Sequence, residues 1–327
     1  MWKKTGMKSS HLHRSIALTV GLSAIAVLVL SRTGHRWQDV ISEVSRVSPA
    51  VVATLLILAT IQLCLQALRL NVLARGLSPV TFLETGRVHS VGQSLNAFLP
   101  ARAGDVYKVT RFTKLLEVGG ESSVGDAIGV VLGADKLSDL IATVALAAFF
   151  VPVVFEGYVD GVQFMEISRL FGPWVILLGM ILVICGMLFP KLRESLGWVK
   201  KSLDVIFVRI SMRRYLFAVS IAMISFAVEC GALAVLTRDM ASRDFEFFQA
   251  LWTLIAVNIG VAIPLTLANL GTFEASMVLA LDRFGIAIEL AIAIALIHHA
   301  VQIAASLLAA VGFELLHRIR RQPKHVS

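Results

Sequence analysis

The chain has 327 residues, of which 57% are hydrophobic and only 16% are charged, and its formal net charge is +8 at pH 7. Soluble domains carry about 25% charged residues, so this composition excludes an ordinary soluble protein and indicates an integral membrane protein. Basic loops that set membrane topology and contact anionic headgroups account for the positive charge, and nucleic acid is not expected as a partner.

Six apolar stretches are candidates for transmembrane helices, since a span needs about 20 largely apolar residues. In chain order they are residues 16–31, 49–68, 137–155, 172–190, 216–236 and 290–313. The first follows Lys3, Lys4 and Lys8 but has no A-x-A cleavage site after it. We therefore expect an uncleaved first helix rather than a signal peptide.

Two further stretches are too short or too interrupted for a regular span. The first includes VGQSLNAFLPARAGDVYKVTRF, residues 91–112. Here residues 88–101, which contain no Asp, Glu, Lys or Arg, are followed by a group of charged residues that begins at Arg102. The second, residues 247–273, is uncharged but contains Asn258, Pro264 and Asn269. Backbone groups freed at such breaks must be satisfied by protein or water, because lipid cannot bind them. We expect broken or re-entrant hairpins at about 86–121 and 247–284.

The distribution of Lys and Arg predicts the topology. With both termini in the cytoplasm and the first hairpin returning to the side it came from, 22 basic residues are cytoplasmic and 7 lie outside. The hairpins then enter from opposite faces, as in inverted-repeat transporters. The predicted fold class is an all-α integral membrane protein with six to eight transmembrane helices and two oppositely oriented re-entrant hairpins. One transmembrane domain, 16–313, lies between basic cytoplasmic tails at 1–15 and 314–327 of an inner-membrane protein.

Four segments resemble a known family. NAFLPARAGD, ending at Asp105, resembles the N-x-x-x-P-x-R-x-G-E/D element of the lysylphosphatidylglycerol synthase transmembrane region, also called the flippase-like domain family. DKLSDL (135–140) and PLTLANLGTFEAS, from Pro264, are similar to its E-R-x-x-D-L and P-x-x-P-G-G-x-G-x-x-E elements, and ALIHHAVQ (295–302) lies where the family has a Tyr-Arg pair. The resemblance covers about residues 16–315. It implies a lipid-moving membrane domain without the aminoacyl-transferase domain.

The sequence departs from the family pattern at three places. Ala268-Asn269 replaces the proline- and glycine-rich part of the second hairpin. Lys136 replaces an arginine, so a planar bidentate donor becomes a point charge. His298-His299 replaces the Tyr-Arg pair, which removes a permanent positive charge from the last helix.

The polar residues of these segments are the candidate functional residues. We interpret nine as substrate-binding: Asn96, Arg102, Asp105, Lys108, Arg111, Lys136, Asn258, Asn269 and Glu274. Arg102 is expected to lie deepest and, with Lys136, to attract a lipid phosphate. Proton exchange or gating is assigned to Asp135, Asp139, Glu229, His298 and His299. The predicted structural breaks are Pro100, Gly104, Pro264 and Gly271.

Several of these assignments have alternatives. Lys108, Arg111 and Lys114 form either a lipid-docking stripe on an interfacial helix or an ordinary topological anchor. Asp105 either caps the following helix or pairs with Arg102. Glu274 either caps its helix or is the outward counterpart of Asp105.

Three further ionisable residues fall inside predicted spans. Glu229 must be protonated, paired or hydrated, because a charge at the centre of a membrane helix costs at least ~2.5 kcal/mol. His298 and His299 point about 100° apart on a helix, so one of them at most faces a given site. No third metal ligand follows at useful spacing, and we expect no metal site.

These features predict a lipid translocator. Its partners are expected to be anionic or glycosylated membrane lipids, polyprenyl-linked lipids included. The sequence contains no G-x-x-x-x-G-K-[ST] loop, Ser-His-Asp spacing or H-E-x-x-H motif, so we expect neither an enzyme nor a cofactor. The alternative hypothesis is a non-transporting accessory protein that binds a lipid- or glycan-modifying enzyme through the basic segment 191–214.

Overall fold

The computed structural model describes residues 37–99, 102–116, 124–157, 197–261 and 271–321, which are helical apart from short connections and contain no strand. Two predicted spans, 16–31 and 172–190, therefore lie outside the described residues. So do the tail 1–15, Pro100, Pro264 and Asn269.

The described α-helices are α1 (Trp37–Arg46), α2 (Pro49–Ala74), α3 (Phe82–Phe98), α4 (Ala103–Leu116), α5 (Val124–Ile128), α6 (Asp135–Gly157), α7 (Gly197–Asp204), α8 (Met212–Ala241), α9 (Phe247–Gly260), α10 (Thr272–Arg283) and α11 (Ile288–Arg321). Two π-helical segments, Gly129–Ala134 and Val205–Arg209, follow α5 and α7.

Among the described helices, α2, α8 and α11 are long and apolar enough to cross a membrane. They contain the predicted spans 49–68, 216–236 and 290–313, and α6 contains the predicted span 137–155. The prediction of an all-α membrane protein is confirmed. α2 packs against both α8 and α11. Apolar side chains on the outer faces, such as Ile224 and Leu308, are more than half exposed and provide the surface that contacts lipid.

The first predicted break separates α3 from α4. α3 begins with a capping box, in which the Thr81 hydroxyl accepts from the Glu84 N–H and the Glu84 carboxylate accepts from the Thr81 N–H. It ends at Phe98, and Leu99 is extended with ψ 143°. This is the conformation expected of a residue before a proline. The helix on which the stripe of Lys108, Arg111 and Lys114 was predicted is α4.

The second predicted break separates α9 from α10. α9 ends at Gly260, and α10 begins at Thr272 after Gly271, whose φ is +87°. Left-handed backbone of this kind is accessible to glycine without a steric penalty. α10 then packs against α11, which also contacts α3, so α11 adjoins both hairpins.

Each hairpin brings its two helices into contact at a glycine. A Cβ on Gly104 would lie 1.8 Å from the carbonyl oxygen of Gly92 on α3. A Cβ on Gly260 would lie 1.8 Å from the hydroxyl oxygen of Ser276 on α10. Because no side chain fits between these surfaces, the hairpins depend on glycine at both positions.

We predict that Gly104→Ala lowers stability by roughly 1–3 kcal/mol, since the added methyl group forces α4 away from α3. The matched control is Gly231→Ala on α8, where an added Cβ meets nothing within 4 Å. This control should be neutral, or stabilising by about 0.5–1 kcal/mol through helix propensity. Thermal unfolding of both variants in detergent measures the difference. Equal unfolding temperatures would show that the α3–α4 contact is not close.

Candidate functional site

Arg69 is a buried cation that sequence analysis did not select. It lies near the end of α2 and is 2% exposed. Its Nε donates to Asp135 Oδ1 at 2.8 Å, and its two terminal nitrogens donate to the carboxylate of Asp139, with Nη2 to Oδ2 at 3.0 Å. Asp135 and Asp139 are four residues apart and lie on one helical face, and one guanidinium joins both to α2. The sequence signal was a single charge in an otherwise uncharged apolar helix.

Lys108 and Asp105 form a second buried ion pair, within α4. Lys108 Nζ lies 2.6 Å from Asp105 Oδ1, and Lys108 is 3% exposed. Asn96 Nδ2 donates to the same carboxylate oxygen at 3.1 Å, and Lys108 donates to Gln93 Oε1 at 3.4 Å. Asp105 therefore lies in the first turn of α4 and pairs with Lys108 rather than with Arg102.

The predicted basic stripe on α4 is divided by this arrangement. Lys108 points inward, whereas Arg111 and Lys114 are exposed. The Arg111 guanidinium lies 5.5 Å from the centre of the Tyr107 ring. A docking role on the outer surface of α4 is thus confined to Arg111 and Lys114.

The Lys108–Asp105 pair carries no net charge. Burial disfavours an isolated charge on either group, but Lys108 Nζ and Asp105 Oδ1 are only 2.6 Å apart and compensate each other. The pair is therefore an internally neutralised structural element.

A polar face on α2 connects these ion pairs to the centre of the molecule. Gln62, Gln66 and Arg69, spaced by four and three residues, form this α2 polar face. Gln66 Oε1 accepts from Gln93 Nε2 at 3.4 Å and lies 3.2 Å from His89 Nε2. These groups give little signal in the sequence, because scattered amides and one histidine do not change the average hydrophobicity of an apolar helix.

Glu229 is paired through hydrogen bonds at the other end of the α2 polar face. Gln62 Nε2 donates to Glu229 Oε2 at 2.7 Å, and Gln302 Nε2 donates to Gln62 Oε1 at 3.0 Å. His298 Nε2 lies 3.9 Å from Glu229 Oε1. Four polar side chains from α2, α8 and α11 thus meet inside the membrane-spanning bundle.

Glu274 has two partners. Its Oε2 accepts from the Gly271 N–H at 2.6 Å, which caps α10, and its Oε1 lies 2.7 Å from His299 Nδ1. The Phe273 ring lies beside both histidines, with centroid distances of 6.1 Å to His298 and 4.5 Å to His299. As expected, His298 and His299 face different sites, and each approaches a different carboxylate.

Arg102 connects the tips of the two hairpins. Its Nη2 donates to the backbone carbonyl of Val261, just after α9, at 3.2 Å. Its φ of +52° is left-handed, which costs a residue with a Cβ about 1–2 kcal/mol. A cation at the negative end of a helix is favourable, so this contact offsets the backbone cost. Arg102 is half-buried rather than free in solvent.

The remaining predicted residues lie at the edges of this region. Lys136 is 45% exposed, and its Nζ is 3.8 Å from Asp139 Oδ2. Asn258 is exposed near the end of α9. Among the residues that the structure describes, no three His, Cys, Asp or Glu side chains are grouped as metal ligands. A cavity of about 440 Å³, lined by Glu43, Arg46 and Glu289 among others, lies at the opposite end of α2 from Arg69.

We predict that Arg69→Ala destabilises the protein by about 3–5 kcal/mol, because it leaves two carboxylates without their shared buried cation. Arg46→Ala is the control, since Arg46 is 64% exposed and pairs only with Glu43 among described residues. Such surface pairs contribute about 0–1 kcal/mol. Thermal unfolding in detergent, followed by tryptophan fluorescence, compares the two variants. A similar small loss in both would contradict a structural role for the Arg69 pairs.

Comparison with known proteins places this arrangement in a family. The family model described as Lysylphosphatidylglycerol synthase TM region matches residues 15–310. No curated protein matches the chain. The match contains every predicted site residue, both hairpins and the Arg69, Lys108 and Glu229 clusters. The chain is therefore a multi-pass membrane protein that belongs to the lysylphosphatidylglycerol synthase transmembrane region family.

Proposed function

We propose that this protein translocates the headgroup of an anionic or glycosylated lipid across the inner membrane. The headgroup passes through a polar cleft between the α3–α4 and α9–α10 hairpins, and the acyl chains remain in the bilayer. Both termini are cytoplasmic in this proposal, and the hairpins enter from opposite faces. The observation that carries it is the hydrogen bond from Arg102 to the Val261 carbonyl, which joins the two tips.

The partners of the cations in this region support a role for Arg102 as the phosphate ligand. Arg69 is neutralised by Asp135 and Asp139, and Lys108 is neutralised by Asp105. The described partner of Arg102 is a neutral backbone carbonyl, so its positive charge remains available. A phosphate binds guanidinium through charge-assisted, bidentate hydrogen bonds that are stronger than a single bond to a carbonyl. Lipid phosphate can therefore displace Val261 from Arg102.

This exchange provides a way to open the cleft. While Arg102 holds the Val261 carbonyl, the ends of α4 and α9 are tied together. Once the guanidinium binds phosphate, that tie is lost and the two tips can separate. Lys136, half-exposed near the start of α6, provides a second cation at the edge of the same region.

Half-buried amides supply the lining for the rest of the headgroup. Asn96, Gln93 and Gln66 extend from Lys108 and Asp105 to the α2 polar face. His89 Nδ1, Ser90 Oγ and Asn96 Oδ1 are buried and have no hydrogen-bond partner in the described structure. Such atoms need water or a ligand, because an unmade buried hydrogen bond is costly. Glycerol and sugar hydroxyls have the matching donors and acceptors.

We predict that Arg102→Ala reduces lipid translocation by at least about tenfold, the loss expected when a charge-assisted hydrogen bond of 1.5–3 kcal/mol is removed. Arg102→Lys should retain part of the activity, since it keeps the charge but not the planar donor pair. The assay uses the full chain in phosphatidylcholine–phosphatidylglycerol vesicles with fluorescent phosphatidylglycerol as the probe. Chemical quenching of the outer leaflet then reports the translocation rate.

The control is Arg283→Ala, which removes an exposed cation at the end of α10. It should leave translocation unchanged. Equal rates for wild type and Arg102→Ala with phosphatidylglycerol and with a glycosylated lipid probe would end the proposal.

A second candidate function is an accessory protein that binds a lipid- or glycan-modifying enzyme. The exposure of Lys200 and Lys201 on α7 and of Arg213 near the start of α8, all within the basic segment 191–214, favours it. Co-purification of such an enzyme that survives Arg102→Glu but is lost in Lys200→Glu/Lys201→Glu, together with no translocation by wild type, would support this function instead.

A further inference from the structure

We infer that translocation is coupled to proton movement through the side chains of Glu229 and His298. The inference rests on the proposed function and adds its driving ion. The geometry points to it because these two titratable groups meet inside the bundle with an incomplete hydrogen bond between them.

The two groups lie at mid-depth in the membrane-spanning bundle. Gln62, which holds Glu229, is at the midpoint of α2, and Glu229 is close to the midpoint of α8. His298 approaches from α11. A proton bound here is far from both membrane surfaces, so it can enter from one side of the membrane and leave to the other.

The hydrogen bonding between Glu229 and His298 is incomplete. His298 is 2% exposed, and its Nε2 has no hydrogen-bond partner among the described residues. The nearest carboxylate oxygen, Glu229 Oε1, is 3.9 Å away, beyond a direct hydrogen bond. One water molecule, or a small shift of α11 toward α8, closes that distance. Meanwhile Gln62 satisfies the other carboxylate oxygen, so Oε1 is the atom free to exchange a proton.

The access of the two side chains differs in a way that suits proton exchange. The Glu229 side chain is 20% exposed, whereas that of His298 is 3% exposed. The carboxylate is therefore the more accessible of the two groups, and the imidazole lies deeper. A proton arriving at Glu229 can move to His298 Nε2 when the two approach, with an O–H bond broken and an N–H bond formed.

Protonation changes the net charge of the pair from −1 to zero. A carboxylate beside a neutral imidazole carries an uncompensated charge at mid-depth, which is costly in a membrane bundle. One added proton removes that charge whether it is on oxygen or on nitrogen. The protonated pair can therefore tolerate a dry, closed arrangement that the deprotonated pair resists.

The other titratable groups near the pair already have partners or lie along different contacts. On α11 and α10, His299 is bound to Glu274, and on α2, Arg69 is bound to Asp135 and Asp139 of α6. His89 on α3 contacts Gln66. Cys230 on α8 is buried beside Glu229, Cys64 on α2 is half-buried, and α9 has no charged residue. The exchangeable site is therefore the Glu229–His298 pair.

Two physical connections join this pair to the lipid site. Gln62 is one turn from Gln66, which contacts the Gln93–Lys108 group of the first hairpin. His298 is adjacent to His299, which contacts Glu274 of the second hairpin. A shift of α11 against α8 on protonation therefore moves contacts in both hairpins. This is how a proton can bias the opening of the cleft.

The experiment uses full-length protein in phosphatidylcholine–phosphatidylglycerol vesicles with fluorescent phosphatidylglycerol, with and without an imposed pH gradient. An internal pH-sensitive dye reports proton flux. For wild type we expect lipid movement to respond to the gradient by up to about tenfold per pH unit, with matching proton flux. Glu229→Gln keeps the size and the contact with Gln62 but should lose the gradient response and the proton flux. His298→Gln should behave in the same way.

The control variant is Asp282→Asn, which removes an exposed carboxylate at the end of α10 and should keep the wild-type response. Infrared difference spectroscopy between mildly acidic and mildly alkaline pH is a second readout. It should show a protonated-carboxyl band that Glu229→Gln removes and Asp282→Asn does not.

The outcomes separate the two proposals. Lipid movement by wild type that ignores the pH gradient, or a wild-type response in Glu229→Gln, overturns coupling and leaves the proposed function standing. A titrating Glu229 band without any lipid movement overturns the proposed function and retains the proton site. Absence of that band at every pH overturns the proton site itself.

Discussion

The rest of the structure depends on how one guanidinium is accommodated in an apolar helix. Arg69 lies near the end of α2 and cannot face lipid without a large cost. Two carboxylates from the start of α6, those of Asp135 and Asp139, accept hydrogen bonds from it, and these ion pairs join α2 to α6. The α3–α4 hairpin packs into the same end of the bundle, where Val88, Val109 and Phe112 share a core with Leu70 and Leu73. The buried ion pairs thus set the frame in which the hairpin is held.

The charged groups divide into two kinds by their partners. Lys108 and Asp105 neutralise each other, and the buried Arg69 is held by the carboxylates of Asp135 and Asp139, so the physical role of both groups is to hold helices in place. Arg102, by contrast, binds a neutral carbonyl. Glu229 and His298 lie just beyond hydrogen-bond distance of each other. Groups with replaceable or unfinished contacts can exchange a ligand or a proton at low cost. The proposed translocation and its coupling are assigned to these groups for that reason.

Much of the fold could be predicted from local patterns, but the site could be predicted only in part. Segment hydrophobicity and the effect of proline on the preceding residue are local properties. The spans within α2, α6, α8 and α11 and the helix end before Pro100 were therefore predictable. Glu229, His298 and His299 stood out as polar residues in apolar runs. Arg69 did not, because it fell one residue beyond the predicted span 49–68. The amides of the α2 polar face were missed because a neutral side chain leaves no charge signal.

The sequence by itself determined that this is an all-α membrane protein with two interrupted hairpins, because hydrophobicity, proline and glycine act over a few neighbouring residues. Only the tertiary structure decided which groups meet: Asp105 with Lys108 instead of Arg102, Gln62 with Glu229, and Arg102 with the carbonyl of Val261. The latter two contacts join residues more than 150 positions apart. Such pairings follow from the packing of whole helices against one another, and no local pattern in the chain encodes that packing.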